Sequence, residues 1–149
     1  MKSLLFLTTT LLTATLFSTF VNAQTPIDGL QKQNISFLES QENEGFEFRS
    51  QIITEFDQAH ASQNVNIKLS KEYTYIVVAL GDSNIPDIDL DIKPLTKAKM
   101  EAMPTDGNLA GESHLVTPTK SGRFKITINA SGLESAKTGF ISFMVLRKG

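Results

Sequence analysis

The 149-residue chain contains no cysteine and no tryptophan, and it has only two tyrosines. The absence of cysteine excludes a disulfide framework, thiol catalysis and zinc–thiolate sites. Basic residues are also in the minority, with 14 lysines and arginines against 16 aspartates and glutamates. A nucleic-acid partner is therefore disfavoured, because such binding depends on basic patches that neutralise phosphates.

The N-terminus has the pattern of a signal peptide. Lys2 supplies the positive start, residues 4–20 carry no charge, and Val21 and Ala23 occupy the two positions that a signal peptidase reads. A retained membrane anchor is the alternative, but a run of about 17 residues is short for a span of roughly 20 apolar residues. We therefore expect residues 1–23 to be removed and the mature chain to be exported, to the periplasm or outside the cell, without a membrane segment.

The mature chain has the size of one domain. Cleavage after Ala23 leaves 126 of the 149 residues and takes the formal net charge from −2 to −3, since Lys2 is lost. This length is enough to bury a single core. Residues 24–33 contain Pro26 and Gly29 among polar residues and predict a flexible lead-in, and residues 24–44 as a whole form a lead-in segment ahead of one domain over residues 45–149.

Apolar residues from Asn34 onwards, among them Ile35 and Leu38, fit one helical stripe that Gly45 breaks. The better half of this stripe, residues 46–61 at the start of the domain, is predicted as the helix. Phe48, Ile52, Phe56 and Ala59 fall on one face at helical spacing, and His60 would pack there partly buried. The alternative is that residues 46–48 open a strand.

After Ser62 the apolar period changes to two. Val65, Ile67 and Leu69 alternate with polar residues, which is typical of a strand with one buried face. Residues 73–80 are almost continuously aromatic or aliphatic and predict a central strand covered on both faces. Further strands are predicted at residues 87–92, 114–117, 123–129 and 140–146, with Pro94 and Pro118 ending two of them; residues 95–103 are ambiguous and residues 104–108 predict a turn. Six or seven strands without a βαβ rhythm indicate an all-β fold, an antiparallel β-sandwich or jelly roll with one N-terminal helix.

Four of these segments together resemble the bacterial pre-peptidase C-terminal domain. They are residues 73–78 (YTYIVV), 87–90 (DIDL), 121–128 (SGRFKITI) and 140–146 (FISFMVL), and the resemblance covers about residues 64–148. It implies a secreted jelly-roll module of the kind appended to hydrolases, usually non-catalytic, of which some members bind calcium or polymers such as collagen. Two features depart from the family: residues 93–95 replace its short Asp/Asn-Gly turn, and no catalytic domain precedes the module, so we expect a free-standing relative.

The acidic turn and strand at residues 81–93 are the best candidate site. Calcium takes about six to eight oxygen ligands. Asp82, Asn84, Asp87 and Asp89 could supply several of them, because alternate residues on one strand face lie about 6.6–6.8 Å apart. The stretch is not an EF-hand loop, since Asp87 stands where that loop requires glycine. The structural alternative is that Asp82 and Asn84 shape the turn, while the aspartates form the solvated face of an edge strand.

The sequence gives less support to a catalytic function. His114 and His60 are the only histidines, and no nucleophile or metalloprotease motif accompanies them. Ser113 is adjacent to His114, but neighbours on a strand point to opposite faces. Asp87, Asp89 and Asp91 have glycosidase-like spacing without an evident cleft.

Tyr73 and Tyr75 lie on one face of their strand, where they either stack on a sugar ring or fill the core. We therefore predict an exported non-catalytic β-sandwich that binds an extracellular or envelope polymer, a partner protein or calcium through the acidic turn. The alternative is a small secreted hydrolase that uses His114 and nearby carboxylates.

Overall fold

A computed structural model describes residues 25–95, 97–105 and 111–149, with the side chains of residues 102–105 left out of the description. The predicted signal peptide and residues 106–108 of the predicted turn lie outside this part of the chain. The elements are α1 (Pro26–Asn43), β1 (Glu47–Phe56), β2 (Ser62–Leu69), β3 (Thr74–Gly81), β4 (Asp87–Leu95), β5 (Lys99–Thr105), β6 (Gly111–Lys120), β7 (Gly122–Ser131) and β8 (Gly139–Lys148). Among the described residues, no helix has the length and apolar composition needed to cross a membrane.

The strands form two sheets. The five-stranded sheet has the order β1-β8-β3-β6-β5 and the three-stranded sheet has the order β2-β7-β4. Every strand pair is antiparallel. The predicted all-β sandwich with one N-terminal helix is therefore confirmed, with eight described strands instead of six or seven.

The main core lies between the two sheets. Alternate residues of β3 and β8, such as Val77 and Phe143, face alternate residues of β4 and β7, such as Leu90 and Ile126, and all four are buried. Each fully buried aliphatic or aromatic side chain of this kind stabilises the fold by roughly 1.5–3 kcal/mol. In a chain without disulfides, this burial holds the sheets together.

A second apolar layer covers the other face of the five-stranded sheet. Leu30 and Phe37 of α1 pack with residues of β3 and β8 that include Val78 and Leu146. Strand β3 is thus the middle strand of its sheet and is buried on both faces. This confirms the prediction drawn from its nearly continuous apolar sequence.

The position of the predicted helix was wrong. Residues 47–56 form edge strand β1, as the strand alternative for residues 46–48 had it. The helix is α1, which covers most of the segment predicted as a flexible lead-in, residues 24–33, and the weaker half of the helical stripe that starts at Asn34. Pro26 in the first turn and the Thr25–Asp28 contact, in which the Thr25 N–H donates to Oδ2 of Asp28 at 2.9 Å, start this helix. Gly45, with a φ of 87°, turns the chain towards β1.

The spacing of the apolar residues in β1 predicted a helix wrongly because the strand has a partner on only one side. Phe48, Ile52 and Ile53 remain 40–43% exposed, so they do not show the simple alternation of a half-buried strand. Pairing with β8, which is remote in the sequence, decides the conformation.

Two prolines do not end their strands as predicted. Pro94 lies within β4, which is an edge strand, and Pro118 lies within β6. The β3–β6 pairing ends at Val116, so β6 has a single described neighbour at Pro118. A proline is tolerated where one side of the strand needs no ladder hydrogen bond.

Candidate functional site

The outer face of the three-stranded sheet is the candidate site, and we call it the polar face. Its residues alternate along the strands with the buried core residues, and no other described element covers them. They are Asp87, Asp89, Asp91 and Lys93 of β4, Arg123, Lys125, Thr127, Asn129 and Ser131 of β7, and Ser62, Asn64, Asn66 and Lys68 of β2.

The strand register arranges these side chains in rows across the sheet. Asp89 lies opposite Asn129, which lies opposite Ser62 on the third strand. Strands are about 4.7–4.9 Å apart, so a row presents a carboxylate, an amide and a hydroxyl side by side. Part of this hydrogen-bonding capacity is used within the face, since the Ser131 hydroxyl donates to Asp87 at 2.7 Å.

Charge is unevenly distributed over the polar face. Asp87, Asp89 and Asp91 occupy one end of β4, whereas Lys93 lies opposite Lys125 at the other end. Asp91 accepts a hydrogen bond from the Lys93 ammonium at the boundary. The face therefore offers an acidic, hydroxyl- and amide-rich half to a ligand that carries cationic or hydroxyl groups.

Asp82, a predicted calcium ligand, is a buried turn residue. It is 2% exposed, and its carboxylate accepts the N–H groups of Asn84 and Phe140, each at 2.9 Å. The Asp82 N–H donates to the Phe140 carbonyl at 3.0 Å, and the Asp82 carbonyl accepts the Ile85 N–H at 3.1 Å. Asp82 thus joins the β3–β4 turn to the start of β8, as the Asx-turn alternative predicted.

The other three predicted calcium ligands have different surroundings. The Asn84 amide donates to the Thr138 carbonyl at 2.8 Å, while Asp87 and Asp89 lie on the polar face. Among the described residues, no group of three acidic or histidine side chains is placed to hold a metal ion. Since calcium needs about six to eight oxygens, these contacts do not fit a site shared by all four residues, and calcium binding stays a prediction.

His114 faces the interior between the sheets and does not meet Ser113. Its Nε2 lies 2.7 Å from Oε1 of Glu112, and its side chain is 15% exposed. The other carboxylate oxygen of Glu112 accepts the N–H of Leu90 at 2.5 Å. Because Leu90 belongs to edge strand β4, Glu112 satisfies one backbone donor of that edge. Sequence reasoning missed Glu112, since only the tertiary fold brings β6 beside β4.

His60 is exposed, so its predicted place on a packed helix face was wrong. It lies in the β1–β2 connection, where its Nδ1 is 3.0 Å from Oδ1 of Asp57. The Asp57 carboxylate also accepts the His60 backbone N–H at 2.6 Å, and this contact lowers the pKa of Asp57.

The two tyrosines pack against each other and do not lie on the polar face. Their ring centroids are 6.2 Å apart in an edge-to-face arrangement, and Arg147 stacks over the Tyr73 ring at 4.4 Å. Tyr75 is buried, and its hydroxyl accepts the Ser70 N–H at 3.0 Å. Tyr75 is therefore a core residue, as one of the two sequence readings proposed.

Comparison with known proteins gives no relative: the chain matches no family model, and neither a curated protein nor a solved structure is significantly similar to it. The resemblance to the pre-peptidase C-terminal domain accordingly stays a prediction.

Proposed function

We propose that this chain is an exported, non-catalytic β-sandwich module that binds a polar polymer of the cell envelope or exterior through the polar face. The observation that carries the proposal is the row of Asp87, Asp89 and Asp91 along one strand, in register with Ser131, Asn129 and Thr127 on the next. No other described element covers these groups.

The chemistry of the face favours a polymer that carries amino and hydroxyl groups. Carboxylates at intervals of about 6.6–6.8 Å form charge-assisted hydrogen bonds with ammonium groups spaced along an extended chain. The amide of Asn129 and the hydroxyl of Ser62 both donate and accept, which suits sugar hydroxyls, and the Ser131 hydroxyl, which donates to Asp87, can still accept. An anionic polymer would be repelled by the acidic half.

We favour the non-catalytic binding module over the alternative of a hydrolase. A contact between His114 and Glu112 is the feature that a hydrolase would use. However, Glu112 is also bonded to the backbone of β4, and Ser113 and His114 alternate on their strand, so Ser113 and His114 do not form a nucleophile–base pair.

Affinity electrophoresis of the mature chain in gels containing chitosan, a neutral glucan or alginate tests the proposal. We expect the strongest retardation in chitosan and the weakest in alginate. Asp89→Asn combined with Asp91→Asn should weaken retardation several-fold, since exposed charge pairs contribute about 0.2–1 kcal/mol each.

The matched control is Glu39→Gln combined with Glu42→Gln, which removes the same charge from exposed positions on α1. Equal loss of binding in the control would show that net charge alone acts and would overturn the assignment to the polar face. Repeating the gels with calcium and with a chelator tests the calcium version. If retardation needs calcium and is lost in the Asp89→Asn, Asp91→Asn variant, the polymer binds through a calcium ion held by these carboxylates and not to the carboxylates directly.

A further inference from the structure

A concave site lies between edge strand β1 of one sheet and edge strand β2 of the other. Its volume is about 300 Å³, which is at the lower end of the range for small-molecule pockets. Three cationic residues line it: Arg49 on β1, Lys68 on β2 and Arg147 on β8. We call it the cationic cleft, and none of the described residues that line it is acidic.

The positive charge of the cleft is poorly neutralised by the protein. Within the part of the chain that the structure describes, Arg49 and Lys68 make no side-chain hydrogen bond or ion pair. Arg147 has Glu47 as its ion-pair partner, at 3.5 Å from Nε, and this Nε is buried without a hydrogen bond. Three cations around one depression create a local positive potential that attracts an anion.

The backbone of β1 is irregular where it lines the cleft. The register with β8 shifts between Phe48 and Ser50, so Arg49 has no direct partner across the strand pair. Such a bulge redirects side chains, and bulges are enriched beside binding sites. Here it places both Arg49 and Ser50 at the cleft.

The remaining lining is mostly apolar. Ile67 and Leu69 of β2 and Val145 of β8 contribute aliphatic side chains, and Tyr75 of β3 adds its ring. Leu69 and Val145 are buried parts of the core, whereas Ile67 is only half-buried. An apolar floor beneath a cationic rim matches a molecule with a compact apolar body and one anionic group.

We infer that the cationic cleft binds a small carboxylate with a compact apolar or aromatic body, at a site that shares only Lys68 with the polar face. The carboxylate lies between the cationic residues, and the apolar body covers Ile67, Leu69 and Val145. The small volume excludes a long acyl chain from full burial.

The test uses the mature chain labelled with ¹⁵N and three probes: benzoate, its neutral analogue benzamide, and acetate. We expect saturable amide shifts at Ser50, Leu69 and Val145 with benzoate, and binding weaker by about tenfold or more for benzamide and for acetate. The reason is that a hydrogen bond to a charged group contributes about 1.5–3 kcal/mol and the apolar floor contributes separately.

Arg49→Gln should weaken benzoate binding by about tenfold, while its exposure and lack of a partner leave the fold intact. The matched control is Lys137→Gln, which removes one exposed positive charge near Gly139, at the opposite end of β8 from Arg147. Equal affinity for benzamide and benzoate, shifts that map elsewhere, or no saturation up to the solubility limit of benzoate would each overturn the inference. Failure at this cleft leaves the polymer assay unaffected, because none of the residues changed in that assay lines the cleft.

Discussion

The buried carboxylate of Asp82 makes a sharp prediction about whether the acidic turn is structural. In Asp82→Ala, the N–H groups of Asn84 and Phe140 lose their acceptor at the junction of the β3–β4 turn with β8. A hydrogen bond to a charged group contributes about 1.5–3 kcal/mol, so the two together predict a loss of about 3–6 kcal/mol in the free energy of unfolding. This is a large part of the stability of an ordinary domain, about 5–15 kcal/mol.

Asp82→Asn should cost less than the alanine change. The asparagine carbonyl still accepts one N–H, but its amide group presents donors to the other N–H. We expect a cost of about 1.5–3 kcal/mol, the value of one charge-assisted bond. The assay is urea unfolding of the mature chain, in which the midpoint should fall while the m-value stays unchanged.

The same measurement separates the structural role from calcium binding. Asp89→Ala, on the exposed face of β4, is the control and should change stability by no more than about 0.5 kcal/mol. Every curve is repeated with millimolar calcium, since a ligand that binds the folded state at about 100 times its Kd adds about 2.7 kcal/mol. An Asp82→Ala penalty below about 1 kcal/mol, or one that appears only with calcium, would refute the reasoning from the two backbone hydrogen bonds.

Two further predictions concern α1 and the β1–β2 connection. Asn34 is 4% exposed and its Oδ1 has no hydrogen-bond partner among the described residues, so Asn34→Leu should raise the free energy of unfolding by about 1–3 kcal/mol in urea melts. Ser36→Leu, on the exposed side of α1, is the control for helix propensity. A lower free energy of unfolding in Asn34→Leu would contradict the expectation. The pKa of Asp57 lies below its ordinary value because the His60 backbone N–H donates to it, so its stabilising effect is complete above that ordinary value and is lost as the pH falls through the lowered pKa. An NMR titration of the Asp57 carboxyl should keep a low midpoint in His60→Ala, because the backbone donor remains; a midpoint restored to the ordinary value would show that the imidazole dominates.

Much of the sandwich could be predicted from local pattern. Ile88, Leu90 and Ile92 face the core and the aspartates of β4 face solvent, as the alternation indicated. Residues 73–80 likewise carry the mark of a strand buried on both faces, and β3 lies between β8 and β6 with α1 over one side. These predictions succeeded because burial on one or two faces imposes a period that the sequence must show.

The predictions that failed depend on partners remote in the chain. β1 was mistaken for a helix because pairing with β8 leaves Phe48, Ile52 and Ile53 largely exposed, and no local period distinguishes that case. Residues 24–33 were predicted to be flexible although Thr25, Pro26 and Asp28 are N-terminal helix signals. Such signals alone do not stabilise a helix, and α1 is held by its packing on the five-stranded sheet.

The sequence by itself determined the alternating strands, the all-β class and the acidic strand that forms one edge of the candidate site, because side-chain alternation is a local property of an extended chain. The role of each polar group, in contrast, depends on the tertiary structure. It buried Asp82 beneath two backbone donors, aligned Asp89 with Asn129 and Ser62, and gathered Arg49, Lys68 and Arg147 around one cleft. These groupings arise from strand register and sheet order, which bring together in space residues that are far apart in the sequence.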